Sequence, residues 1–136
     1  MGFTTPCFIR KNTEELRKKL EDIGYAAKFS TKDHDVIYAE STFGVYFTMF
    51  SSNIPQLMNF AYDCGENEAL FLAIAALRDD SNFMQWFICT EDYIESPDKE
   101  WKVGDWDLNT CPDVTYGQQL PHWRKATVEE LINHFK

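Results

Sequence analysis

Apolar residues crowd one stretch of this chain more than any other. Residues 69–77, Ala-Leu-Phe-Leu-Ala-Ile-Ala-Ala-Leu, would be apolar on every side of a helix, and 83–89, Phe-Met-Gln-Trp-Phe-Ile-Cys, is an aromatic run suited to a strand. A helix that is apolar all round has to be buried, so the rest of the chain is expected to wrap it. Its limits are written in its chemistry. Asn67 is a good N-cap, Glu66 and Glu68 complement the positive end of the helix dipole, and Asp79-Asp80-Ser81-Asn82 follows with turn formers. The predicted helix is about 67–78. Its nine consecutive apolar residues fall far short of the ~20 that span a bilayer, so it belongs to a core and not to a membrane.

Two further helices are legible by period and caps. After a short strand at 6–9, Asn12 or Thr13 caps a helix over about 13–23, Asn12-x-x-Glu15 resembling a capping box. Leu16, Leu20 and Ile23 form its apolar stripe, and Gly24 is placed to end it. Near the other end, Thr127-x-x-Glu130 is a complete capping box for a helix over about 127–135, with Val128, Leu131, Ile132 and Phe135 on one face. The two ends echo each other: Arg10-Lys11-Asn12-Thr13-Glu14-Glu15-Leu16 parallels 124–131. Independent use of the same capping chemistry accounts for so short a match.

Between 25 and 62 the period becomes strand-like. Residues 25–30, 36–40, 43–50 and 56–62 are candidate strands, separated by 31–35, Ser41-Thr42 and 52–55. Such short links imply an antiparallel meander. Within 43–50, Phe43, Val45, Phe47 and Met49 make one firmly apolar face, and Gly44, Tyr46, Thr48 and Phe50 make a semi-polar but aromatic one. Beyond the central helix, 83–91 and 101–108 read as strands around a turn at Ser96-Pro97-Asp98-Lys99, and 109–121 as a long loop. The expected fold is one α+β domain over 1–136: five to seven mostly antiparallel strands in one curved sheet, with three helices packed on it.

Composition sharpens this picture. A hydrophobic share of 44% and an aromatic share of 15% belong to a folded globule rather than a disordered chain. The start has no basic segment followed by a long apolar run, so no signal peptide is expected, and Pro6 stands where a myristoylation motif wants Ser or Thr. The expected location is the cytoplasm. Four spread cysteines, Cys7, Cys64, Cys89 and Cys111, with no Cys-x-x-Cys, read as reduced thiols and not as a zinc site. Charge is uneven: residues 1–78 carry 8 basic and 10 acidic side chains, whereas 79–136 carry 5 and 12, within a total of −9. That balance disfavours nucleic-acid binding and favours a basic protein partner or simple solubility.

Three constellations could carry chemistry. Asp33-His34-Asp35 holds metal-ligand types, but Lys32 and a turn-like setting favour plain solvation, and no metal or other cofactor is expected. Cys64 precedes a helix N-terminus, where a thiolate is stabilised, yet a nucleophile also needs a base, and His34, His122 and His134 are all remote in sequence. The third is the acidic stretch from Glu91 to Asp113, which contains Tyr93, Trp101 and Trp106. A solvated hairpin with inward aromatics is the plain reading. The sharper one is a docking surface centred on Tyr93, Trp101, Asp105, Trp106 and Asp107.

The segments Pro6-Cys7-Phe8-Ile9-Arg10-Lys11-Asn12-Thr13, 69–80 with Gln85-Trp86-Phe87, and Lys125-Ala126-Thr127-Val128-Glu129-Glu130-Leu131 resemble a group of short uncharacterised proteins of gut bacteria and their phages or mobile elements. The resemblance covers both ends and the centre and implies no catalytic residue. The function expected is that of a small non-enzymatic interaction or regulatory accessory protein docking through about 91–113, with no direct nucleic-acid or membrane binding. The alternatives are an enzyme with a cleft around Cys64 or His34, and an acidic DNA mimic, for which the carboxylates lack periodic spacing.

Overall fold

The structure, a computed structural model, describes residues 2–79, 84–108 and 122–136. In chain order the elements are β1 (Cys7–Ile9), α1 (Glu14–Ile23), β2 (Ala26–Ala27), β3 (Val36–Glu40), β4 (Val45–Met49), a 3-10 turn at Ser51–Asn53, α2 (Ile54–Leu57), β5 (Tyr62–Asp63), α3 (Glu68–Ala75), β6 (Trp86–Cys89), β7 (Tyr93–Ser96), β8 (Lys99–Trp101), β9 (Trp106–Leu108), β10 (Trp123–Lys125) and α4 (Val128–His134). The class is α+β, but the strands do not form one curved sheet. They make a five-stranded sheet in the order β2-β4-β3-β1-β5, a three-stranded sheet β10-β6-β9, and the hairpin β7-β8.

The reason lies in α3. Leu70, Phe71, Ala73, Ile74 and Ala75 are all buried, and a single sheet covers only one side of a helix. The helix-facing residues of the first sheet (Cys7, Ile9, Ile37, Ala39, Tyr46) and Ile88 of the second share one core with α3, α1 and Leu131 of α4. α1, α3 and α4 therefore lie between two sheets. Only Glu68, Ala69 and Leu72 of α3 are left less covered.

The predicted helices are present with shifted ends. Thr13 caps α1, its hydroxyl accepting from the Leu16 N–H at 3.1 Å. No capping box forms there. The Asn12 amide instead donates to the Thr31 and His34 carbonyls at 2.9 and 2.8 Å, which pins the turn before β3 to the start of α1. Asn67 caps α3 as expected, accepting from the Leu70 N–H at 3.1 Å. The helix ends at Ala75 rather than 78 because the N-terminal segment claims the next residues: Thr4 N–H donates to the Leu77 carbonyl and Asp79 N–H to the Gly2 carbonyl, both at 3.1 Å. Phe3 then stacks on Tyr25 at 3.9 Å. Gly24 ends α1 at φ +129°, where an added Cβ would press on the Arg78 guanidinium and the Phe3 ring. Thr127 and Glu130 form the full capping box of α4. Both chain-end echoes thus fold as strand, cap and helix, in different sheets.

The meander is corrected more deeply. β3 and β4 form the expected antiparallel hairpin, but β2 runs parallel to β4 and β5 runs parallel to β1. Of residues 56–62 only Tyr62 joins a strand, as the start of β5. Pro55 sits in the first turn of α2, where its fixed φ is pre-organised for a helix, and this turn lays Ile54 and Leu57 onto Phe8, Val36 and Tyr38. Residues 101–108 are two strands, because a turn at 102–105 with Gly104 at φ +93° breaks them. The expected turn after Asp79 and the loop at 109–121 fall on residues outside those described, apart from Asp79 itself.

β4 also reverses what its alternation ordinarily implies. Tyr46 and Thr48, the semi-polar face, are buried against the helices, while Val45, Phe47 and Met49 on the apolar face are only half-buried. The polar atoms are satisfied inside. Tyr46 donates to Glu21 Oε2 at 2.5 Å, and the Thr48 hydroxyl lies 2.8 Å from both Thr31 N and His34 Nδ1.

Candidate interaction surface

The acidic-aromatic stretch is built around β6. Its side chains alternate: Trp86 and Ile88 face the helices, whereas Phe87 and Cys89 face outward beneath the β7–β8 hairpin. Antiparallel pairing sets Trp123 of β10 opposite Cys89 and Trp106 of β9 opposite Ile88. Directly paired residues share a face. The two tryptophans therefore leave β6 on opposite sides.

This register divides the five predicted docking residues. Tyr93 and Trp101 pair directly across the hairpin and both pack on Trp123. The Tyr93 hydroxyl accepts from Trp123 Nε1 at 2.7 Å, and Trp101 meets Trp123 edge to face at 4.9 Å. Trp106 lies behind the sheet, stacked on the His134 ring at 3.9 Å and against Trp86 and Phe135. The two tryptophans, 101 and 106, do sit on opposite sides, but on two strands rather than one, and both are half-buried. Asp105 closes the turn, its carboxylate accepting from Lys102 N–H at 2.8 Å. Asp107 pairs with Phe87 on the hairpin side. Asp113, in the same acidic stretch, lies outside the described residues.

Around Tyr93 and Trp101 the surface is charged, and one of its cations sits on a ring. The Lys99 ammonium sits 4.3 Å above the Trp101 ring, and Glu95 accepts from the indole N–H at 3.2 Å. Glu91, Asp92, Glu95, Asp98 and Glu100 are all exposed along this hairpin and just before it. Lys102 is held by Glu100 at 2.5 Å with Asp92 at 4.0 Å, and the hydrogen bond and charge of Glu100 raise its pKa above the ordinary lysine value. His122, in the left-handed region at φ +68°, stacks on Tyr93 at 4.1 Å and places Nδ1 2.5 Å from Glu91 Oε1.

Sequence reading missed His122, Trp123 and Lys99 as parts of this surface. Trp123 has a signal in hindsight, since an aromatic opening a strand has to pack on one face of its neighbour. Nothing in the sequence announces a stacking of Tyr93 on a residue 29 positions later, because it depends on how β10 docks.

The other nominated groups sit apart from this surface. Cys64 is buried beside Cys7, and burial followed by the contact with Cys64 pushes the Cys7 thiol well above its ordinary value. Cys7, Cys64 and Cys89 are free thiols, and Cys111 lies outside the described residues. His34 engages Thr48 and meets Phe50 edge-on at 4.5 Å, while Asp35 accepts from the Ser51 N–H. Among the described residues no three His, Cys, Asp or Glu side chains converge as a metal site requires, and no helix is long and apolar enough to cross a membrane. A cavity of about 340 Å³ opens beside α3, lined by Ala69, Leu72, Trp86 and Phe135 among other apolar groups, with Lys19 and Asp22 as its charged members. Neither Cys64 nor His34 reaches it.

No family model, no curated protein and no solved structure matches the chain.

Proposed function

We propose that this is a small, non-enzymatic interaction protein of the cytoplasm that docks a basic segment of a partner protein on the Tyr93–Trp101 face of its hairpin. One observation carries the reading: Trp101 already holds a lysine ammonium over its ring, with a carboxylate on its indole N–H and further carboxylates along the hairpin. A partner's lysine or arginine would meet the same aromatic face and the same charge, an arrangement in which cation–π attraction and electrostatic steering act together. The resemblance of the chain to short proteins of gut bacteria and their mobile elements supports an accessory or regulatory role there.

Affinity purification from the native cell with mass spectrometry supplies the partner, and two variants then test the surface. Trp101→Ala should speed dissociation and cost about 2 kcal/mol of binding if the ring is a hot spot. Glu95→Gln with Glu100→Gln should mainly slow association and flatten its salt dependence. Binding indifferent to both variants and to salt would remove this function.

A further inference from the structure

The side of the first sheet turned away from α1, α3 and α4 is covered only in part. α2 shields Phe8, Val36 and most of Tyr38, and beyond it the face continues open. Phe60, Tyr38, Phe47 and Phe29 form a file of rings with successive centroid distances of 5.9, 6.1 and 6.2 Å. Phe29 is 75% exposed and Phe60 56%, with Met58 at 58% two residues before Phe60. Scattered exposed apolar residues are ordinary, but a contiguous file of aromatic rings is the kind of patch that marks an interface.

We propose that a second copy of this chain covers this face, in a twofold dimer whose aromatic files pack against each other. Area supports it. Three side chains of this size and exposure leave roughly 350 Å² open per chain. Two such faces contribute about 700 Å², and half-buried Phe47 within the file, with Val45 and Met49 beside it, carries the total towards the roughly 1,200–2,000 Å² of a specific interface.

Charge selects the same occupant. Of the net −9, residues 1–78 carry only −2, and they include the whole first sheet. The strongly acidic half builds the second sheet and hairpin, beyond the helical layer. Sheet-to-sheet pairing puts the nearly neutral sides together and the acidic ends outward, whereas pairing through the hairpins would oppose like charges. Three charged groups lie near the file: Lys28 holds its ammonium 6.0 Å from the Phe29 ring centroid, Asp63 takes a bidentate hydrogen bond from Arg10 with a closest approach of 2.6 Å, and Glu40 accepts from Thr42 N–H and the Tyr38 hydroxyl. The dimer would carry two Tyr93–Trp101 surfaces at its far ends, and its existence does not depend on what those surfaces bind.

Sedimentation equilibrium of the full chain tests this directly. The unaltered protein should sediment as a dimer that dissociates on dilution, and Phe29→Glu with Phe60→Glu should sediment as a monomer with unchanged circular dichroism. Trp101→Ala, on the opposite side, should remain dimeric. A monomer at every concentration, a dimer that survives the double substitution, or one lost with Trp101→Ala would overturn the proposal. Should the double variant misfold, hydroxyl-radical footprinting of the unaltered chain decides. Oxidation of Met58 and Phe60 should fall several-fold as protein concentration rises through the association range, while exposed Ile94 on the hairpin stays constant. Equal oxidation throughout would also overturn it, including the case in which a different protein covers this face.

Discussion

The Tyr46 hydroxyl donates to Glu21 Oε2 at 2.5 Å, tying the middle of β4 to the last turn of α1. The ring itself is buried. With Tyr46 and Thr48 engaged by polar partners on the helix side, β4 has no choice of face: Val45, Phe47 and Met49 must point the other way. A strand whose oilier side faces outward is thus explained by where its hydroxyls find acceptors and donors.

Replacing Tyr46 by Phe should therefore destabilise the chain by about 1–2 kcal/mol, as expected for a hydrogen bond to a charged group, measured by urea denaturation at neutral pH. Burial first, and then the bond to Glu21, raise the Tyr46 pKa from 10 to about 12. The folded state holds this proton more tightly than the unfolded chain, so the contribution is complete below pH 10 and disappears as pH rises towards 12. The unaltered protein should lose stability across that window more steeply than Tyr46→Phe. Parallel slopes would show that the phenol does not titrate as the structure requires.

At the other end of the chain, Glu130 takes a bidentate hydrogen bond from Arg124 at 2.7 and 2.6 Å and accepts from the Thr127 N–H at 3.0 Å. Arg124 first, and the Thr127 amide second, lower its pKa from 4.5 to about 2. Here the unfolded state binds the proton more readily, so the stabilisation is present above pH 4.5 and is lost as pH falls towards 2. Melting temperature followed from pH 6 down to about 2 should fall less steeply for Glu130→Gln than for the unaltered chain. Thr127→Ala should cost about 1 kcal/mol at neutral pH, the usual worth of a helix cap.

Trp106 and Trp101 should respond oppositely to truncation. Trp106 is stacked on His134 and packed against Trp86 and Phe135 of the main core, so Trp106→Ala should cost about 2–3 kcal/mol of stability, somewhat less than a fully buried tryptophan. It should leave partner affinity unchanged. Trp101→Ala should weaken partner binding at a smaller cost in stability. Denaturation and binding measured on the same two variants separate the roles, and a loss of binding with Trp106→Ala at full stability would place the docking surface on the wrong side of the sheet.

What the sequence determined by itself was local. The caps Asn67 and Thr127 act within three or four residues of themselves, so their hydrogen bonds were legible from spacing, as was the burial of most of 70–77, which has no polar face to offer water; at the first helix spacing left Asn12 and Thr13 both open, and only the structure chose Thr13. The Ser96-to-Lys99 turn was legible for the same reason. Tertiary structure decided everything that depends on which strand lies next to which. The parallel pairing of β5 with β1, the break between Trp101 and Trp106, and the division of the docking residues between two sides of β6 are all matters of register, and register has no signature in a single strand. The outward turn of Phe47 is the clearest case. Alternation along β4 separates its two faces, but only the approach of Glu21, Thr31 and His34 from elsewhere in the chain makes the polar face the buried one.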